Sequence, residues 1–167
     1  MVKAGRYEEN KTLKIFAGNF EEFVIHVFGL QKPDNTVIGI GNIKDDIKKD
    51  LANNGIKLLA NLIVISDKKL LRAVRDSKMA KGKSIAPERL HEIVEAIENP
   101  LAILKDKRGG QLVYIYANNY DELIVKIVIE PNTNLDGNII HLAKSIGIVE
   151  KRVLTDTNTY NVIFGKI

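Results

Sequence analysis

A single lysine interrupts one of the most apolar stretches of the chain, Leu123-Ile-Val-Lys126-Ile-Val-Ile129. An ammonium group in such a strand must be paired, reach an edge along its own alkyl stem, or line a cleft. His141 has a similar setting in Asn138-Ile-Ile-His141-Leu-Ala-Lys144, where simple alternation puts its ring on the face of Ile139 and Ala143. Upstream, Lys68, Arg72 and Arg75 stand at i, i+4 and i+7, so a helix would stack them along one face. Lys83 follows in a Lys81-Gly82-Lys83 loop, and Tyr114 and Tyr116 alternate along an apolar run.

Gathered around one hollow, these side chains have the chemistry of RNA cleavage without metal. A base takes the proton of a 2′-hydroxyl, cations hold the phosphorane charge, and an acid protonates the leaving 5′-oxygen. Histidine titrates near neutrality, Lys and Arg supply charge, and tyrosine stacks on bases. The expected catalytic set is therefore His141, Lys126, Arg75 and Arg72, with Lys68, Tyr114, Tyr116 and Lys83 binding substrate. Each has a plainer alternative: a snorkelling Lys126, a structural His141, and a solvated face for the lysine run. His91, beside Glu88 and Glu95, reads as solvated, and His26 as a packing or surface residue.

Other chemistries find less support. The chain has no cysteine, which removes disulfides, thiolate metal sites and cysteine nucleophiles. Its three histidines do not fall at ligand spacing, so no metal and no cofactor is expected. Asp45-Asp46 and Asp121-Glu122 fall in a helix and a turn and not on strand ends. Gly39-Ile-Gly41 between a strand and a helix evokes a dinucleotide fingerprint but lacks its third glycine and ribose-binding acid. There is no Gly-x-Ser-x-Gly elbow.

The elements that must position these groups follow from the hydrophobic period. Phe16, Phe20, Phe23, Val24, Val27 and Phe28 predict a helix from Leu13, stopped at Gly29. A strand follows over Thr36–Gly41. Asn42 then caps a helix to Leu51 with Ile43, Ile47 and Leu51 inward. Leu58–Ile65 reads as a strand, and Ser66 as the cap of a helix to Lys78. Leu90, Ile93, Val94 and Ile97 form a last helical stripe, begun near Pro87 and stopped by Asn99-Pro100. The period then shortens to that of strands: Leu101–Lys105, Leu112–Ala117, Leu123–Glu130, Asn138–Lys144 and Tyr160–Gly165. Turn residues separate them, including Gly109-Gly110, Pro131-Asn132 and Asp136-Gly137. Helices first and strands afterwards predict an α+β fold: an antiparallel meander of four to five strands with helices packed on one face.

Charge is concentrated. Residues 61–90 carry eight Lys/Arg against three Asp/Glu, an excess of five in a chain whose net charge is +4. A local basic field attracts polyanions, RNA among them. No apolar run approaches the roughly 20 residues of a membrane helix, and the polar start lacks a secretory signal, so a cytoplasmic protein is expected.

Several stretches resemble nuclease-like domains of phage and mobile-element proteins in the barnase–EndoU–colicin–RelE superfamily of metal-independent RNases. They are Val37-Ile-Gly-Ile-Gly-Asn-Ile-Lys44, Leu62-Ile-Val-Ile-Ser66-Asp-Lys-Lys-Leu-Leu-Arg72, and Leu90-His-Glu-Ile-Val-Glu-Ala-Ile-Glu-Asn-Pro-Leu-Ala-Ile103. Leu112-Val-Tyr-Ile-Tyr116, Val125-Lys-Ile-Val-Ile129 and Asn138-Ile-Ile140 complete the set. The resemblance implies two helices on a four-stranded antiparallel sheet that carries the cleft, and an RNase or toxin acting on RNA such as tRNA, packaged in or delivered by a phage particle. Such domains often place a histidine or basic residue after the first paired helix, where Arg75 stands here. They often carry Thr or Ser after the Asn of the fourth strand, where His141 stands. The matching stretches span roughly residues 36–165 and imply a nuclease-like unit over 36–167. They leave 1–35 as an extension whose helix, within 13–30, would dock a carrier or inhibitor protein. Two alternatives stay open: an inactive relative that binds nucleic acid or protein, and an unrelated interaction protein presenting an apolar patch around Phe20 and Phe23.

Overall fold

The N-terminal phenylalanines form a shorter helix than their spacing suggests. Asn19 Oδ1 accepts from Glu22 N–H at 2.8 Å while Glu22 Oε1 accepts from Asn19 N–H at 3.0 Å. This capping box starts helix α1 at Phe20 (Phe20–Leu30). Just before it, Lys14–Ile15 is not helical but a short strand, β1. The computed structural model describes residues 14–30, 32–74, 90–116 and 123–167.

Strand β2 (Thr36–Asn42) follows, and helix α2 (Asp45–Asn53) buries Ile47 and Leu51 as the stripe requires. Asn42 belongs to the strand and does not cap α2; Lys44 holds the cap position. Gly55, at φ 82°, takes the chain out of the helix. Strand β3 (Leu62–Ser66) leads directly into α3 (Asp67–Val74). Ser66 Oγ accepts from Lys69 N–H at 3.3 Å, the N-cap expected of it. Helix α4 (Glu92–Glu98) buries Ile93, Ala96 and Ile97. Next come β4 (Ala102–Asp106), β5 (Leu112–Tyr116), β6 (Leu123–Leu135), β7 (Asn138–Glu150), the short helix α5 (Lys151–Leu154) and β8 (Tyr160–Gly165).

The sheet corrects the expected fold class. It is one mixed sheet of eight strands in the order β1-β2-β3-β7-β6-β5-β4-β8, not a meander of four or five. The antiparallel β4 to β7 run and the return of β8 along β4 are present. To this, β3 adds the first three strands by parallel pairing with β7, through Ile63↔His141 and Val64↔Leu142. β1 also runs parallel to β2. The helices are not confined to one face either.

Residues from α1, α2, α3 and α4 share one large core with Ile38, Ile40, Ile63, Ile65, Ile103, Tyr114, Val125 and Ile127. Phe23 and Val27 sit fully inside it, so the described part of residues 14–35 packs into the same core as the rest. A second cluster forms from Ala102, Leu104, Val113, Ile115 and Tyr160, with Leu154 of α5 packed into it. A third joins Val37 and Val64 to Leu135, Ile140 and Leu142 of the β6–β7 hairpin. α4 packs on both β2 and β5, which have three strands between them in the sheet, so the sheet must curl around its helices.

The Gly39-Ile-Gly41 signature is explained by this packing. The β2–β3 register slips between Gly39 and Gly41, a bulge around Ile40. A Cβ on Gly41 would lie 2.8 Å from Ile97 Cγ2, and its φ is +155°. Glycine there lets α4 close onto the strand.

Candidate functional site

Lys126 lies on the face of the sheet away from the main helices. Its neighbours Val125 and Ile127 both belong to the large helix-bearing core, so alternation turns Lys126 the other way. Its register partner across β5 is Ile115, a member of the second cluster. Lys126 is half-buried there and engaged in an interaction of its own. Helix α3 packs on the opposite side, with Leu70 and Ala73 in the large core. Lys68 on that helix is exposed and Arg72 half-buried. The described cations of the expected set are thus split between the two sides of the sheet. Arg75 and Lys83 lie outside the described residues.

Tyr114 is closed to a stacking base. Tyr114 is fully buried between register partners Ile103 and Ile127, and Tyr116 is 8% exposed. Burial pushes the Tyr114 phenol well above its usual range. Its hydroxyl has no hydrogen-bond partner among the described residues.

His141 is a structural residue. Its ring is fully buried, and both nitrogens are taken by backbone. Nδ1 accepts from Asn132 N–H at 3.0 Å, and Nε2 faces Ala60 O at 2.8 Å, an acceptor that fixes the proton on Nε2. The β6–β7 register places Pro131 and Asn132 as a bulge opposite His141, between Glu130↔Leu142 and Thr133↔Ile140. Asn132, at φ 53°, extends the same connection. Its Oδ1 accepts from Leu59 N–H at 2.8 Å and its Nδ2 donates to Lys57 O at 2.9 Å. Burial lowers the His141 pKa, the Ala60 hydrogen bond works against that, and the Lys48 charge adds to the lowering. A ring held in this way offers no nitrogen to a 2′-hydroxyl.

A different polar cluster escaped the sequence reading. His26 of α1 pairs with Asp34 through Nε2 and Oδ2 at 3.0 Å, and Thr36 Oγ1 donates to Asp34 Oδ1 at 2.8 Å. Asp34 N–H donates to Oδ2 of Asp67 at 2.6 Å, and Lys68 N–H donates to Oδ1 of Asp67 at 2.7 Å. Burial pushes Asp34 up, but hydrogen bonds with Thr36, Asp67 and His26 outweigh it and hold the carboxyl below its usual value. The ring of Phe16 stands 5.1 Å from that of His26. Asp67 itself is 2% exposed. The cluster has no nucleophile, since the Thr36 hydroxyl is spent on Asp34. Its effect is to tie α1 and the turn before β2 to the first residue of α3, which sets where the basic face of α3 points. The sequence signal was an aspartate in the Lys32-Pro-Asp34-Asn turn and another directly after a strand.

Two of the surface grooves are lined by described residues. One of about 420 Å³ is lined by His91, Glu92, Glu95, Ala96, Asn99 and Tyr116. The other, of about 380 Å³, lies among Lys107, Leu154, Thr157, Tyr160, Val162 and Ile167. Neither is lined by Lys126, His141 or Arg72. Among the described residues no group of three or more His, Asp or Glu side chains could hold a metal ion, and no helix is long and apolar enough to cross a membrane. The apolar patch expected around Phe20 and Phe23 does not form: Phe23 is fully buried and Phe20 packs against the same core. No protein-family model, curated protein or solved structure matches the chain.

Proposed function

We propose that the chain is a non-catalytic nucleic-acid-binding module whose contact surface is the basic segment beginning on α3. The observation that carries this reading is the charge excess of five in residues 61–90, which exceeds that of the whole chain. The described start of that segment suits the role. Leu70 and Ala73 anchor α3 in the core while Lys68 is exposed and Lys69 and Arg72 are half-exposed. The buried Asp67, bonded to the Asp34 N–H, fixes the helix at its first residue. Phosphate contacts of this kind position a protein on nucleic acid without reading sequence.

The test is fluorescence anisotropy with a labelled single-stranded RNA across a salt series. Each phosphate contacted adds about 0.7 to the negative slope of log affinity against log salt. Replacing Lys68→Glu and Arg72→Glu together is expected to weaken binding and to flatten that slope by about 1.4. Affinity that ignores both salt and charge reversal would overturn the reading.

A further inference from the structure

His141 has no room for a second proton. Only the neutral ring protonated at Nε2 can both accept from Asn132 N–H and donate to Ala60 O. A proton added at Nδ1 would point at the Asn132 N–H and exchange a hydrogen bond for a clash of donors. We infer that His141 is an acid-sensitive latch: on protonation the tip of the β6–β7 hairpin lets go of the 56–61 loop while the main core stays folded.

Three features favour a local opening over general unfolding. First, the latch sits at a thin seam. The β3–β7 register that joins the two parts of the sheet spans only Ile63↔His141 and Val64↔Leu142. Second, what binds the loop to the hairpin is concentrated in two side chains, the His141 ring and the Asn132 amide with its bonds to Leu59 N–H and Lys57 O. Asn132 also occupies the left-handed backbone region at φ 53°, a conformation that must be held by its surroundings. Third, the tip has its own small apolar cluster, Leu135, Ile140 and Leu142 on Val37 and Val64, apart from the large core.

The charged groups on the surrounding elements do not rescue an imidazolium. Lys48 of α2, whose Nζ donates to Asn61 Oδ1 at 2.9 Å, acts on the ring with the same sign as the added proton. Lys57 in the loop is exposed, and Glu130 of the hairpin is engaged with Lys144 at 3.8 Å.

The experiment is amide exchange and ring-nitrogen NMR on the full chain from about pH 7.5 to about pH 4.5. At the upper end the ring is expected in the Nε2–H form. On acidification, protection at Asn132 and Leu59, corrected for intrinsic exchange, should fall about tenfold or more, while Val113 and Ile127 in the core keep theirs. Binding of an apolar dye should rise in the same window as Val37 and Val64 are uncovered. The variant His141→Gln, which cannot be charged, should show no such window. The latch is refuted if Asn132 and Leu59 stay protected throughout, if core and tip amides are lost together, or if the glutamine variant opens with the same pH dependence.

Discussion

Replacing Tyr114 by phenylalanine removes one oxygen atom from the centre of the molecule and nothing else. The ring is fully enclosed, with Ile103 on one neighbouring strand and Ile127 on the other, and its hydroxyl has no partner among the described residues. A buried hydroxyl without a hydrogen bond costs roughly 1–3 kcal/mol against leaving it in water. Deleting it removes that penalty and leaves a space smaller than a methyl group, which costs a fraction of the same amount. Tyr114→Phe should therefore stabilise the fold by about 1 kcal/mol, or raise Tm by about 2–4 °C for a chain of this size. Urea unfolding is the assay. The midpoint should move up with an unchanged slope, since the same surface is exposed on unfolding. Tyr160→Phe serves as the control, because its hydroxyl already stands 3.5 Å from the Arg108 guanidinium at the edge of the second cluster. If Tyr114→Phe loses 1 kcal/mol or more, the hydroxyl is bonded within the native protein and the reasoning fails.

Two further outcomes follow from the geometry. Gly41→Ala should destabilise by about 2–3 kcal/mol, because the new methyl meets Ile97 at a backbone angle that alanine avoids; Gly109→Ala, with nothing within 4 Å, should leave the urea midpoint unmoved. Acid stability should depend on Asp106, whose pKa is lowered by hydrogen bonds from Arg108 at 3.0 and 2.8 Å despite an opposing burial effect. Its folded pKa lies below the unfolded value of 3.8, so the unfolded state binds more protons in that window. Its stabilisation is present above about pH 4 and is lost as pH falls through the lower folded pKa; Asp106→Asn should flatten that part of a stability–pH curve.

Much of the local structure was legible in the residues. The stripe Ile47 and Leu51, the Ser66 cap, the stop at Asn99-Pro100 and the strand-forming runs after Leu101 all report short-range preferences that the fold keeps. What was hidden is long-range. Nothing near Ile63 or Val64 announces a parallel partner at His141 and Leu142, so the two strands read before the meander looked separate from it, the strand at Lys14–Ile15 was read as helix, and the sheet was underestimated. Pro131-Asn132 read as turn residues between two strands; they sit instead in a bulge, where the missing proline N–H is tolerated, and β6 continues to Leu135. That bulge also decides His141, since it supplies Asn132 N–H to Nδ1 while Ala60 of the loop before β3 takes Nε2, two backbone partners that alternation does not describe. Lys126 was conspicuous in the sequence, yet its two flanking residues are equally apolar on both faces of the strand. Only the register with Ile115 shows that it turns away from α3.

Incubation of the protein with total RNA in the presence of EDTA, followed by a denaturing gel and a native one, tests the central claim most directly. With Lys126 on one side of the sheet, α3 on the other and the His141 nitrogens occupied, the RNA should be retarded on the native gel and run at full length on the denaturing one. Fragments ending in 2′,3′-cyclic phosphate, abolished by Lys126→Ala, would mean that these groups do meet at one phosphate and that the chain is a nuclease.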